Sequence, residues 1–370
     1  MKIEKLKVDG AEVSVITDSI YHYSFGYFTA NKWIDENRIV LIRGKSYELD
    51  EFNRTAELVL ADINNGKEEL LYTFNSAKPL KIGAGYCEAY VVSGNTVYFI
   101  DVEGEITDYE SVLYKFDISD RSIKEIYRGK NFYFPHITND GKYLNIELLP
   151  DKENGLYGCV VIDTETEIAE IVFSKKFNKP FEDLAHIMIC PTDKDKIFFC
   201  HEGDTFYVSN RLWMYEKGKD MKCIAEQRLD TDGNLGDCFG HECWTADGKG
   251  LYFVKYNCSP MGPKGISYVN ADGTGQRTAI YGKYPYWHVC ASPDGRFLAS
   301  DTQSGSYSGV CLIDTFTGDE KLLYKAKSSW SHPTHPHPSF NLDGSKIIFH
   351  HIIDSKNCIG IINIKDVFNG

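Results

Sequence analysis

Trp244-Thr245-Ala246-Asp247-Gly248-Lys249 stands between two apolar runs and decides the fold. Asp-Gly flanked by β-rich segments is a strong hairpin signal, since both residues tolerate the backbone angles that a tight turn demands. The pattern recurs as Ile137-Thr138-Asn139-Asp140-Gly141-Lys142, Cys190-Pro191-Thr192-Asp193-Lys194-Asp195, Ala291-Ser292-Pro293-Asp294-Gly295-Arg296 and Phe340-Asn341-Leu342-Asp343-Gly344-Ser345. The turn aspartates Asp140, Asp193, Asp247, Asp294 and Asp343 follow one another at 53, 54, 47 and 49 residues, the range of a four-stranded propeller blade. Each turn leads on to a third strand ending in a polar turn, as in Val161-Ile162-Asp163-Thr164, Leu312-Ile313-Asp314-Thr315 and Ile361-Ile362-Asn363-Ile364. Two more such strands, Leu60-Ala61-Asp62-Ile63 and Tyr114-Lys115-Phe116-Asp117, mark earlier blades whose Asp-Gly turns have decayed. Seven units of about 53 residues fill the 370-residue chain. The expectation is therefore an all-β, seven-bladed β-propeller spanning 1–370 as a single domain. A solenoid β array is the structural alternative.

Composition agrees with this reading. Tyr (24), Phe (21) and Gly (31) are abundant, and no stretch sustains a helical period. The formal charge of −13 argues against nucleic acid or an anionic membrane as partner, because both need a basic face. The 11 cysteines are scattered without a C-x-x-C pair, and Cys159, Cys200 and Cys311 sit inside apolar strands. That usage suits buried free thiols in a reducing compartment. Met1-Lys2-Ile3-Glu4-Lys5 lacks an apolar signal core, and no apolar run reaches membrane-spanning length. A cytoplasmic location is expected. No G-x-S-x-G elbow, Walker motif, H-E-x-x-H or dinucleotide fingerprint is present, and the glycines of Lys81-Ile82-Gly83-Ala84-Gly85 read as loop glycines with no helix after them.

The repeat gives the histidines an address. His241, His288 and His337 each lie six residues before a turn aspartate, so all three occupy one position in successive blades. That position begins the innermost strand, where blades converge on the axis. Before the last of them runs Ser331-His332-Pro333-Thr334-His335-Pro336-His337-Pro338, which proline makes stiff and extended. His335 and His337, two apart, then share a face, and His332 lies three residues back. Clustered neutral imidazoles with no thiolate suit a divalent metal of borderline hardness such as Mn²⁺, Zn²⁺, Fe²⁺ or Ni²⁺. Loops joining second to third strands line the same mouth, which adds His201 and Arg211 to its rim. His351, aligned with His201 at an offset of 150 residues, the spacing of Asp193 and Asp343, reads as packing or rim. No convergent carboxylate pair is placed for glycosidase chemistry.

The Asp-Gly-Lys blades resemble those of TolB-type propellers. At the residues that carry chemistry, the chain resembles the oligogalacturonate lyases, seven-bladed propellers of pectin breakdown. The likeness is clearest in Phe199-Cys200-His201-Glu202-Gly203, Arg211-Leu212-Trp213, Gly240-His241-Glu242-Cys243-Trp244, Trp287-His288 and His335-Pro336-His337-Pro338-Ser339-Phe340, with Tyr27-Phe28-Thr29 and Trp33 near the start. The resemblance implies Mn²⁺ held by His288, His335 and His337 with a fourth ligand at position 332, where this chain has His332 and the family has glutamine. It implies β-elimination on a short acidic, digalacturonate-like oligosaccharide, with His241 as base and Arg211 stabilising charge or binding the carboxylate beside His201. A lyase for another uronate-containing oligosaccharide and a non-catalytic sugar-acid-binding propeller remain open, and so does the oligomeric state.

Overall fold

The computed structural model describes residues 1–8, 11–45, 56–75, 89–105, 108–150, 155–303, 307–327, 335–353, 356–365 and 367–368. Among these residues the chain forms seven antiparallel sheets and no helix. Taken in chain order, blades 1 to 6 are residues 22–73, 90–129, 132–175, 184–223, 239–281 and 286–327, each with four strands in simple meander order. Blade 7 closes the ring. Its strands Ser339–Phe340, Lys346–Ile353 and Lys356–Asn363 accept the N-terminal strand Ala11–Thr17 as fourth member, with Lys2–Val8 outside it. The closing register pairs Val13 with Ile362 and Val15 with Gly360.

Each middle strand is covered by a neighbouring blade on both faces, so it reads as an unbroken apolar run rather than an alternation. Val310, Cys311, Leu312 and Ile313 are all fully buried. Outer strands have one covered face at most, as in Ala169–Lys175, where most residues are exposed. The third strands anticipated at 60–63 and 114–117 fall in Ala56–Asp62 and Asp108–Asp117, each third in its blade. The ten described cysteines are free thiols, eight of them buried. No helix among the described residues is long and apolar enough to cross a membrane.

Four of the five quoted turns share one construction. Oδ1 of Asp140, Asp247, Asp294 and Asp343 accepts the amide two residues on and a side-chain donor two residues back. The glycines that follow, Gly141, Gly248, Gly295 and Gly344, have φ near +70° (73°, 67°, 72° and 70°), angles that favour glycine. Asp193 departs from the expected equivalence. Blade 4 turns on Pro191-Thr192, and Asp193 already begins the outgoing strand Asp193–His201, paired with Cys190. Proline offers no donor two residues back, and Lys194 replaces the glycine.

The axis is filled by the segment after His22–Ser24, the first strand of blade 1. Phe28 carbonyl accepts from the Ser339 hydroxyl, Lys32 Nζ reaches the Tyr27 carbonyl and Ser339, and the Thr29 hydroxyl meets His136 Nε2 at 2.7 Å. Tyr27 and Phe28 thus stopper the channel. At the end carrying the Asp-Gly turns lies a cavity of about 530 Å³. The axial histidines of blades 4 to 7 line the opposite side of the stopper.

Candidate active site

The innermost strands share a distortion. Pairing slips between Tyr133 and His136 in blade 3, Ala185 and Met188 in blade 4, Gly240 and Cys243 in blade 5, and Tyr286 and Val289 in blade 6. Within these bulges Phe134, His186 and His241 are left-handed (φ 60°, 56° and 55°), as is His337 in blade 7 (φ 45°). A side chain there costs about 1–2 kcal/mol, and bulges re-aim side chains beside functional sites. The result is an arc of imidazoles around the axis: His186, His241, His288 and His337 from blades 4, 5, 6 and 7. His186 escapes the six-residue rule because it lies seven residues before Asp193, the aspartate whose turn is built differently.

His288, His335 and His337 come together as the spacing predicts. Each can present a ring nitrogen such that the three lie within 4.8 Å of one another. Nitrogens sharing one ion at about 2.1 Å stand roughly 3–4 Å apart, so closing on an ion takes only a small adjustment. All three side chains are buried. The set fits a divalent metal. His332, the fourth predicted ligand, lies outside the described residues.

Asp301, on the second strand of blade 6, orders this set. Its carboxylate accepts the His288 amide at 2.7 Å, His288 Nδ1 at 2.9 Å and the His337 amide at 3.2 Å. With Nδ1–H committed to Asp301, Nε2 of His288 is the ligating nitrogen, a carboxylate–histidine arrangement common at metal sites. His350 works from the other side. Its Nε2 accepts the Phe25 amide, its Nδ1 donates to the His335 carbonyl at 3.2 Å, and its ring stacks on Phe25 at 4.0 Å. Phe28 closes the floor, stacked on His337 and edge-on to His288.

His241 adjoins the cluster without joining it. Its ring lies 4.0 Å from that of His288. Nδ1 donates to the Trp287 carbonyl at 2.6 Å, with the Tyr256 hydroxyl at 3.0 Å. That bond fixes the tautomer and leaves Nε2 as the basic nitrogen. Burial and the neighbouring His288 hold its pKa well below the ordinary imidazole value, so the ring is neutral at pH 7. A neutral, oriented imidazole can accept a proton.

Arg211 sits behind this pair, buried in the wall of blade 4. Nη2 donates to both Glu202 carboxylate oxygens at 2.9 Å and Nη1 to the Gly203 carbonyl at 3.1 Å. Burial works against ionised Glu202, but Arg211 and His186 outweigh it and hold its pKa at about 2. The terminal nitrogens of Arg211 are thus occupied by the protein itself. His201 is not brought to the axial histidines. Its ring stacks on Phe177 at 3.6 Å and Nε2 donates to the Phe181 carbonyl at 2.9 Å. His351 meets the Tyr324 hydroxyl and serves packing.

No protein-family model matches the sequence. The oligogalacturonide lyase of Pectobacterium atrosepticum is 25% identical over 205 residues, half of each chain. The oligogalacturonate lyase of Dickeya dadantii is 25% identical over 204 residues, again half of each. The chain thus matches about half the length of these curated relatives. In three dimensions it is similar to an oligogalacturonate lyase solved in complex with manganese, with a TM-score of 0.76 at 17% identity over 98% of this chain and 96% of that one. The oligogalacturonate lyase of Vibrio parahaemolyticus gives a TM-score of 0.76 at 17% identity, covering 99% and 98%.

Proposed function

We propose that this chain, similar in sequence to oligogalacturonate lyases and in fold to their solved structures, is a metal-dependent lyase that cleaves short pectin-derived uronides, of which digalacturonate is the simplest, by β-elimination. The observation that carries this reading is the placement of His241, tautomer fixed by the Trp287 carbonyl, against three histidines arranged for one metal ion.

His288, His335 and His337 would hold the ion, with His332 as the fourth ligand that the sequence suggests. When bound, the ion supplies positive charge against the dianion that forms when a carbon next to a carboxylate loses its proton. Manganese is the metal we assign, on the likeness to the manganese-bound lyase. His241 Nε2 takes the proton from that carbon. The electron pair becomes the new double bond, the glycosidic oxygen leaves the adjacent carbon and takes a proton from water, His241 returns its proton to solvent, and the unsaturated unit rearranges to a 4-deoxy-5-keto-uronate. Arg211, held by Glu202 and the Gly203 carbonyl, stands in the wall behind His241 as part of a neutralised ion pair. The Tyr27-Phe28 stopper and buried walls exclude water from one side of the site.

Two further assignments accompany this one: the formal charge of −13 argues against a nucleic-acid partner, and the free thiols fit a reducing, cytoplasmic setting. The proposal is tested by incubating chelated and Mn²⁺-loaded protein with digalacturonate and measuring keto-deoxyuronate. Metal-dependent release is expected. Absence of release with every divalent metal supplied would leave only binding.

A further inference from the structure

One member of the imidazole arc has no part in the chemistry above. His186 faces the axis from the left-handed bulge of blade 4, its side chain 24% exposed. It packs against Phe134 and Tyr27, each with ring centroids 5.8 Å away. Nδ1 lies 3.5 Å from Glu242 Oε2, long for a hydrogen bond, and no hydrogen bond engages Nε2 among the described residues. The charged and titratable groups around it are Glu242, Glu202, Glu147, Cys200, Arg211, His136 and His241. Burial opposes a charge on this ring, but the three glutamates outweigh it and raise the pKa to about 9. His186 is therefore an imidazolium beside a neutral His241.

A 1,4-linked uronide carries one carboxylate per sugar. The metal cluster can answer the carboxylate of the unit that reacts, so the unit that leaves needs a second cation. Two cations stand in the wall of blade 4, and Arg211 is closed by Glu202 and Gly203. His241, in blade 5, separates the metal ligands of blades 6 and 7 from His186 in blade 4. A sugar chain whose reacting carbon meets His241 and whose carboxylate meets the ligand set runs its next unit toward blade 4.

We propose that His186 anchors the carboxylate of the leaving uronate through Nε2 and so sets the preference for substrates charged on both units. This rests on the lyase reading. The experiment compares wild type, H186Q and H186R on digalacturonate and on the matching disaccharide whose leaving unit is galactose, with thermal melts as a folding control. H186Q should raise KM for digalacturonate about tenfold or more, with the loss in KM rather than kcat. H186R should recover much of it, and H186Q should match wild type on the galactose-terminated substrate. An equal loss on both substrates, a loss confined to kcat, or no loss in a folded H186Q would overturn the anchor while leaving the lyase standing. If wild type turns over neither substrate, the lyase reading fails instead. Calorimetric titration of digalacturonate into wild type and H186Q then decides the anchor alone, with equal affinities contradicting it.

Discussion

Asp301 carries much of the order at the ligand set, since one carboxylate fixes the tautomer of His288 and the backbone of His337. Asp301→Asn keeps an acceptor but loses the charge that holds Nδ1–H, and should weaken metal binding roughly 10–100-fold, measured by competition with a chromogenic chelator. The double change of His335 and His337 to Ala should abolish stoichiometric metal, read by elemental analysis. Residues at this scale differ in how visible they are in the sequence. His241, His288 and His337 could be read from a fixed distance to a turn aspartate, and His335 from its two-residue offset. Asp301 and His350 come from second strands, where no repeat marks a buried polar residue, and only the folded contacts reveal them. The closure of Arg211 by Glu202 was hidden for the same reason, as was the turning of His201 toward Phe177 and Phe181.

At the scale of strands, the bulge is the working part. Gly240 precedes His241, and a Cβ there would overlap the Tyr256 hydroxyl that supports the base. Gly240→Ala should displace Tyr256 and with it His241. A shift of about 1 Å at a catalytic group costs on the order of 10²-fold in turnover, so kcat should fall strongly while metal content holds, as steady-state rates and elemental analysis would show. Turns and strands were legible because Asp-Gly and the apolar runs are local signals. The bulges were not, since a bulge adds a residue to one strand and leaves no compositional mark. Blade 4 shows the consequence: a different turn moves His186 one residue out of register and out of sight of the rule that finds its neighbours.

Over the whole molecule, the period and chain length give the blade count, while the closure is invisible locally. Asp9-Gly10 stands between Lys2–Val8 and Ala11–Thr17 in the sequence, but nothing local shows that Ala11–Thr17 pairs across nearly the full chain with Lys356–Asn363. The ligand set adds a second link, because His288 belongs to blade 6 and His335 and His337 to blade 7. Metal binding to the folded ring should therefore raise stability, by about 2.7 kcal/mol at a hundredfold excess over Kd. Denaturant unfolding with and without Mn²⁺ would show this, and the gain should vanish in the His335, His337 double variant. The proposed chemistry turns on His241 acting as a base that is not a ligand. Metal content and digalacturonate turnover measured on one preparation of His241→Ala test this most directly. About one ion per chain is expected to remain while kcat falls by roughly 10²–10⁴; loss of the ion, or turnover equal to wild type, would contradict it.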